Sequence, residues 1–293
     1  MAAPESLVEG APAKVNLTLR VVGRRADGYH DLESLVAFAD IGDELSFAPF
    51  GELALTVSGP GAVQAGDGAD NLVVKGAVAL AARVAGLRLG AFHLDKRLPV
   101  AAGLGGGSAD AAAALRLLAR ANDLAADDGR LFDAARATGA DVPVCLDPRP
   151  RLMRGIGDIL SAPLALPPLP AVLVNPGVAL ATQAVFARWT AAGEPAASDA
   201  SRLTMTASRD QCLQLLALQA NDLEPAAIAL APPIAEVLIA LRALSGCRLA
   251  RMSGSGATCF GLFSTAAAAI EGAKTITRRH PEWWVRATAL GGS

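Results

Sequence analysis

Basic charge is scarce and nowhere gathered: 26 Lys and Arg stand against 28 Asp and Glu, a formal net charge of -2. No run of Lys and Arg forms the stripe that follows nucleic-acid phosphates, so nucleic acid is not expected as a partner. The four cysteines, Cys145, Cys212, Cys247 and Cys259, are far apart, with neither C-x-x-C spacing nor histidines placed to complete a zinc site. Reduced thiols are expected. Charges and glycines interrupt every apolar stretch well short of the roughly 20 residues a membrane span requires. The first residues, MAAPESLVEGAPAK, lack a basic segment followed by an apolar run. These absences predict a soluble, cytoplasmic protein with no membrane partner. Hydrophobic residues nevertheless make up 52% of 293, enough for real cores in about two domains.

From Lys14 to Val22 apolar and polar residues alternate, with Val15, Leu17, Leu19 and Val21 on one face and Lys14, Asn16, Thr18 and Arg20 on the other. This pattern predicts a half-buried strand whose polar face presents Lys14 and Asn16 to one ligand. Strands are also expected at 44–47, 53–57, 87–94, 171–175, 249–252, 257–263 and 284–290. Helices are expected at 71–84, 131–138, from Thr182 to Trp189, across 226–244 and at 266–278. Asn221 with Glu224 three residues on suits a helix start. Asp141-Val142-Pro143 reads as an extended loop, because proline disfavours helix at the residue before it. The proline-rich stretch 147–170 marks the expected boundary, giving domains of residues 1–155 and 156–293.

The densest signal is Gly103-Leu104-Gly105-Gly106-Gly107-Ser108, followed at once by an alanine-rich helix with Ala111, Ala114, Leu115 and Leu118 on one face. A phosphate chain needs backbone N–H groups without side chains in the way, and a helix N-terminus adds partial positive charge. The alternative is a purely structural turn, although four glycines in five positions give up more chain entropy than a plain turn requires. A P-loop is excluded because Ser108-Ala109-Asp110, not Lys and Ser or Thr, follows the last glycine. A dinucleotide fingerprint fails because Ser108 stands where its third glycine belongs.

Residues 99–110, Pro-Val-Ala-Ala-Gly-Leu-Gly-Gly-Gly-Ser-Ala-Asp, resemble the central motif of the GHMP kinases, P-x-x-x-G-L-G-S/G-S/G-S. Five more segments agree in order with the diphosphocytidyl-methylerythritol kinases of that superfamily. They are residues 11–17 (APAKVNL), 25–30 (RADGYH), 139–143 (GADVP), 221–224 (NDLE) and 253–257 (SGSGA). Ala109 departs from a usual Ser or Thr, Cys145 from a frequent aromatic and Asp158 from a common Glu.

The resemblance implies a two-domain α+β fold with the active site in the interdomain cleft, ATP and Mg²⁺ as cofactors, and a cytidine diphosphate-linked polyol as substrate. It implies phosphorylation of the substrate's 2-hydroxyl in isoprenoid precursor synthesis, by a monomer or weak homodimer. Phosphoryl transfer needs alignment, charge neutralisation and a base. Asp141 is expected to take the hydroxyl proton with Lys14 beside it, and the resemblance implies the same roles; otherwise Asp141 caps a turn and Lys14 is a strand-end lysine. Asn16 either holds the substrate's polar part or makes a strand-edge hydrogen bond. Tyr29 and His30 suit nucleobase stacking and hydrogen bonding, or form a packed loop; the resemblance favours the cytidine, with Thr182 and Phe186 supplying a second aromatic wall.

For ATP, the resemblance points to Lys96 and to Pro99, Val100, Ala101, Ala102, Gly103, Leu104, Gly105, Gly106, Gly107, Ser108 and Ala109. Asn71 either contacts the adenosine or caps a helix. Ser108 is the expected Mg²⁺ ligand and equally a helix-capping residue. Gly254, Ser255 and Gly256 are expected to close over the phosphates, or to link two strands.

Overall fold

The computed structural model describes residues 6–189 and 208–292. The strands are β1 (Leu7–Asn16), β2 (Arg20–Arg24), β3 (His30–Pro49), β4 (Ala54–Ser58), β5 (Gly90–Asp95), β6 (Arg151–Gly155), β7 (Ile159–Leu160), β8 (Leu169–Asn175), β9 (Cys247–Met252), β10 (Cys259–Phe263) and β11 (Trp284–Leu290). The helices are α1 (Ala62–Ala65), α2 (Leu72–Ala81), α3 (Gly106–Ala121), α4 (Gly129–Thr138), α5 (Val142–Cys145), α6 (Thr182–Arg188), α7 (Arg209–Ala217), α8 (Glu224–Leu230), α9 (Pro233–Arg242) and α10 (Ala266–Arg279). None of the described helices is long and apolar enough to cross a membrane. The fold is α+β, and the described residues divide into two compact units, one of 6–13, 41–100 and 105–148, the other of 14–40, 101–104, 149–189 and 208–292.

In the first unit, β4 and β5 run parallel and β5 pairs antiparallel with the second half of β3, bringing Phe47 opposite Phe92 with ring centroids 4.5 Å apart. Helices α2, α4 and α5 all pack on α3. Alanine makes this possible: Ala109 and Ala111 to Ala114 are buried around α3, and short side chains let helices approach on more than one side. Gly76 of α2 packs against Ala111 and Leu115.

In the second unit, β8 lies between β11 and β10, antiparallel to both, with β9 beyond β10. Every residue of β8 is buried, the pattern of a strand covered on both faces. Helix α10 packs on β8 and β11, and α9 on β9 and β10. The first half of β3 pairs with β2 on one edge and β6 on the other.

Three expectations change. The strand predicted over 14–22 is β1 and β2 with a break at Leu17 and Thr18, whose N–H groups both donate to the Leu35 carbonyl. Its polar face is not solvated, since Lys14, Asn16 and Thr18 are each 2–4% exposed. Asp141-Val142-Pro143 opens the short helix α5, with proline in its first turn where the missing N–H costs nothing. The single helix expected at 226–244 is broken at Pro232-Pro233 into α8 and α9.

Candidate active site

In the first unit the approach to the glycine loop is held from β3. Asp43 Oδ1 accepts from the N–H groups of Arg97 (2.6 Å) and Leu98 (2.8 Å). Its Oδ2 lies 2.5 Å from Lys96 Nζ, which reaches Asp110 Oδ2 on α3 at 2.6 Å. All three side chains are buried, Asp43 completely. Desolvation raises the Asp110 carboxyl to about 7, partly countered by Lys96, because one ammonium serves two buried carboxylates. The expected ATP residue Lys96 thus has its ammonium directed to two carboxylates.

The loop then takes two left-handed residues, Ala101 (φ 53°) and Gly103 (φ 75°), and Gly105 (φ 60°) stands at the N-cap of α3. The carbonyl of Gly105 accepts from Ala109, so the N–H groups of Gly106, Gly107 and Ser108 are those left without intrahelical partners. They form a ready anion site at the N-terminus of a 16-residue helix. Asn71 spends its side chain locally, accepting from Val73 N–H and donating to the Gly66 carbonyl, so the structure shows its capping role. Asp141 stands at the N-cap of α5, which is fastened to α3 by Arg116 donating to the Cys145 carbonyl (2.7 Å).

In the second unit residues 101–104 lie against the second glycine segment. A Cβ on Gly103 would sit 2.4 Å from the Ser253 carbonyl oxygen and 2.8 Å from that of Gly256, so the two backbones touch. The Ser253 hydroxyl donates to the Gly103 carbonyl (2.8 Å), Thr258 N–H donates to the Ala102 carbonyl (3.0 Å), and Lys14 N–H donates to the Leu104 carbonyl (2.8 Å). Asn221 Nδ2 donates to the carbonyls of Met252 and Gly254, and Glu224 Oε2 accepts from Met252 N–H. The glutamate expected to cap its own helix therefore fixes β9 instead. Thr182 and Ser255 share a hydrogen bond of 2.8 Å between their hydroxyls.

Lys14 Nζ is 3.3 Å from Asn16 Oδ1, Asn16 Nδ2 donates to Ser34 Oγ (2.7 Å), and Ser34 donates to the Thr18 carbonyl (2.5 Å). A polar relay buried in this way orients the ammonium. His30, the first residue of β3, stacks on Phe186 with ring centroids 5.0 Å apart and meets the edge of Trp189 at 5.7 Å. Burial and Arg24 lower the His30 pKa, favouring the neutral ring. Tyr29 is 61% exposed, in a turn closed by Asp27 accepting from its N–H.

Sequence reading had brought His30 and Phe186 to one place and had given Trp189 no part beside them. It also missed Asp43, Asp110 and Ser34. An aromatic at the end of the helix carrying Phe186 was a usable signal for Trp189; nothing local marked Asp43.

Family models fit both halves of the chain: GHMP kinases N terminal domain over residues 71–147 and GHMP kinases C terminal over residues 207–281. The architecture and the paired glycine loops are those of a GHMP kinase. A 4-diphosphocytidyl-2-C-methyl-D-erythritol kinase of Rhodopseudomonas palustris (strain BisB18) is 56% identical over 294 residues, covering 98% of this chain and 96% of its own length. One of Methylobacterium radiotolerans is 58% identical over 287 residues, covering 97% and 99%. A solved 4-(cytidine 5'-diphospho)-2C-methyl-D-erythritol kinase matches with a TM-score of 0.78 at 35% identity, covering 98% of this chain and 100% of that one. A homoserine kinase from Cytophaga hutchinsonii, at 19% identity and a TM-score of 0.73 over 98% of this chain and 96% of that one, shares the fold. The chain belongs to the 4-diphosphocytidyl-2-C-methyl-D-erythritol kinase family.

Proposed function

We propose that this chain transfers the γ-phosphoryl group of ATP to the 2-hydroxyl of 4-diphosphocytidyl-2-C-methyl-D-erythritol, yielding ADP and the 2-phosphorylated product for the non-mevalonate isoprenoid pathway. The observation that carries the reading is the backbone interlock of Gly103 with Ser253 and Gly256, immediately before the N–H groups that open α3 and have no partner within the helix. Such a loop receives phosphate oxygens by backbone donation and helix charge.

In this reading Asp141 takes the proton from the attacking hydroxyl. Lys14, its ammonium oriented by Asn16, offsets negative charge gathering on the transferred group. Gly254, Ser255 and Gly256 bound the phosphates, and Thr182 fixes Ser255. His30, Phe186 and Tyr29 receive the cytosine, the neutral imidazole offering both a donor and an acceptor. The Ser108 hydroxyl would be the protein ligand of the Mg²⁺ that accompanies ATP, and the ion would supply neutralisation of phosphate charge. The enzyme so read works in the cytoplasm as a monomer or weak homodimer.

The test is ADP release coupled to a reporter, with the cytidylylated polyol, its uridine counterpart and the uncytidylylated alcohol. Turnover with the first far above the other two is expected. Equal turnover with all three removes the substrate assignment, and no ADP release with any removes the kinase assignment.

A further inference from the structure

The Asp43–Lys96–Asp110 cluster is a costly construction. Its ion pairs are 2.5 and 2.6 Å long, with side-chain exposures of 0, 3 and 4%. Taking three charges out of water rarely raises stability, since well-packed apolar side chains of similar volume often do as well or better. One acceptor is left over as well, because Asp110 Oδ1 is buried without a hydrogen-bond partner among the described residues.

Its placement explains what stability does not. Asp43 grips the chain just before the glycine loop through the N–H groups of Arg97 and Leu98. Asp110 lies just after the loop, one turn into α3. Lys96 joins the two and touches the first helical residue, since a Cβ on Gly106 would stand 3.1 Å from Nζ. Between these fixed stems the backbone takes left-handed conformations at Ala101, Gly103 and Gly105, and at Ala101, which carries a Cβ, such a conformation persists only where the surroundings impose it.

We propose that Lys96, through Asp43 and Asp110, is a positioning residue for the ATP phosphates: it clamps the two stems of the glycine loop so that the N–H groups of Gly106, Gly107 and Ser108 are preset for phosphate, and its ammonium does not itself bind the nucleotide. The proposal rests on the reading of that loop as the ATP site. Charge-assisted hydrogen bonds of this length are short and directional, which suits a clamp better than apolar packing would.

The experiment compares Lys96→Met, Asp110→Leu and Asp110→Asn with the parent enzyme. Measurements are KM for ATP, KM for the cytidylylated alcohol, kcat, and amide hydrogen exchange along 99–110. Lys96→Met and Asp110→Leu are expected to raise KM for ATP about tenfold or more, leave KM for the alcohol within about twofold, and speed exchange selectively at the first hydrogen-bonded amides of α3, Ala109 and Asp110, the Ala109 N–H donating to the Gly105 carbonyl. Asp110→Asn, which keeps an acceptor for the ammonium, is expected to fall between parent and Asp110→Leu. Should Lys96→Met fail to fold, the combination Asp43→Asn, Lys96→Met and Asp110→Asn removes all three charges together and undergoes the same measurements. Unchanged KM for ATP in a folded variant, or faster exchange spread evenly over the protein, overturns the clamp while leaving the kinase reading intact. A parent that releases no ADP instead overturns the reading on which the clamp stands.

Discussion

The Ser253 hydroxyl donates to the carbonyl of Gly103 at 2.8 Å and accepts from the N–H of Asn16 at 3.0 Å, so one side chain ties the first glycine loop and the strand of Lys14 to the second glycine loop. Gly103 tolerates nothing larger. Its φ of 75° disfavours any L side chain, and a Cβ would stand 2.4 Å from the Ser253 carbonyl oxygen, a backbone atom that cannot swing aside. Gly103→Ala is expected to lower kcat/KM by at least about a hundredfold and to reduce Tm by several degrees. Gly28→Ala is the matched control, because Gly28 also has positive φ (88°) but nothing within 4 Å of the added carbon. It should cost only about 1 kcal/mol of conformational strain, read by urea unfolding.

Arg251 supports the same region from behind. Its guanidinium is 5% exposed and donates to the carbonyls of Leu17 (2.6 Å), Leu216 (2.9 Å) and Gln219 (2.5 Å). Burial lowers its pKa to about 10, leaving it charged at neutral pH. Arg251→Met keeps much of the stem but strips three carbonyls of a donor, those of Leu17 and Leu216 in buried bonds and that of Gln219 in a partly buried one. A loss of about 3 kcal/mol in urea unfolding is expected, against no more than a few tenths for exposed Arg278→Met.

How much of this was legible in the sequence depended on whether the partner was local. The glycine loop and an alanine-rich helix after it were readable because composition and punctuation act within a few residues, but α3 begins at Gly106 with Gly105 at its N-cap, so Ser108 lies within the first turn and does not cap it. Lys14 and Asn16 read as a polar strand face open to a ligand, because alternation cannot show that Ser34 engages Asn16 and that the Leu35 N–H donates to the Thr18 hydroxyl. The 20-residue β3 was recognised only at 44–47, since Asp40, Gly42 and Asp43 interrupt its apolar pattern. Asp43 owes its role to Lys96, 53 residues away, and no local pattern spans that distance. At Val142 the local rule against helix before proline was overridden in a segment whose four residues are all buried.

The proposed base and cation should separate in their effects. Asp141→Asn retains shape and hydrogen bonding but cannot accept the hydroxyl proton, so kcat should fall about a thousandfold with KM for both substrates little changed. Lys14→Met removes a charge held beside Asn16 and should lower kcat by at least about a hundredfold. Circular dichroism and Tm establish that each variant is folded. Retention of most of the parent's kcat by both would sink the assignment.

The last prediction concerns pH and rests on His30. Burial and the neighbouring Arg24 hold its pKa below the ordinary 6.5, while Phe186 and Trp189 face the ring without charge. The sign follows from the neutral form being favoured in the folded protein: any stability His30 contributes is present above pH 6.5 and is lost as pH falls through the depressed value. Protonation also converts the ring's acceptor nitrogen into a donor, removing the partner for the cytosine amino group. KM for the cytidylylated alcohol is therefore expected to be flat at pH 7 and above and to rise on acidification, with the midpoint below 6.5. KM for ATP should show no such rise. In His30→Ala the acid limb should vanish and KM for the alcohol should be raised about tenfold at every pH, together with weaker preference for cytidine over uridine. An acid limb that survives in His30→Ala would assign it to another group and separate His30 from base recognition.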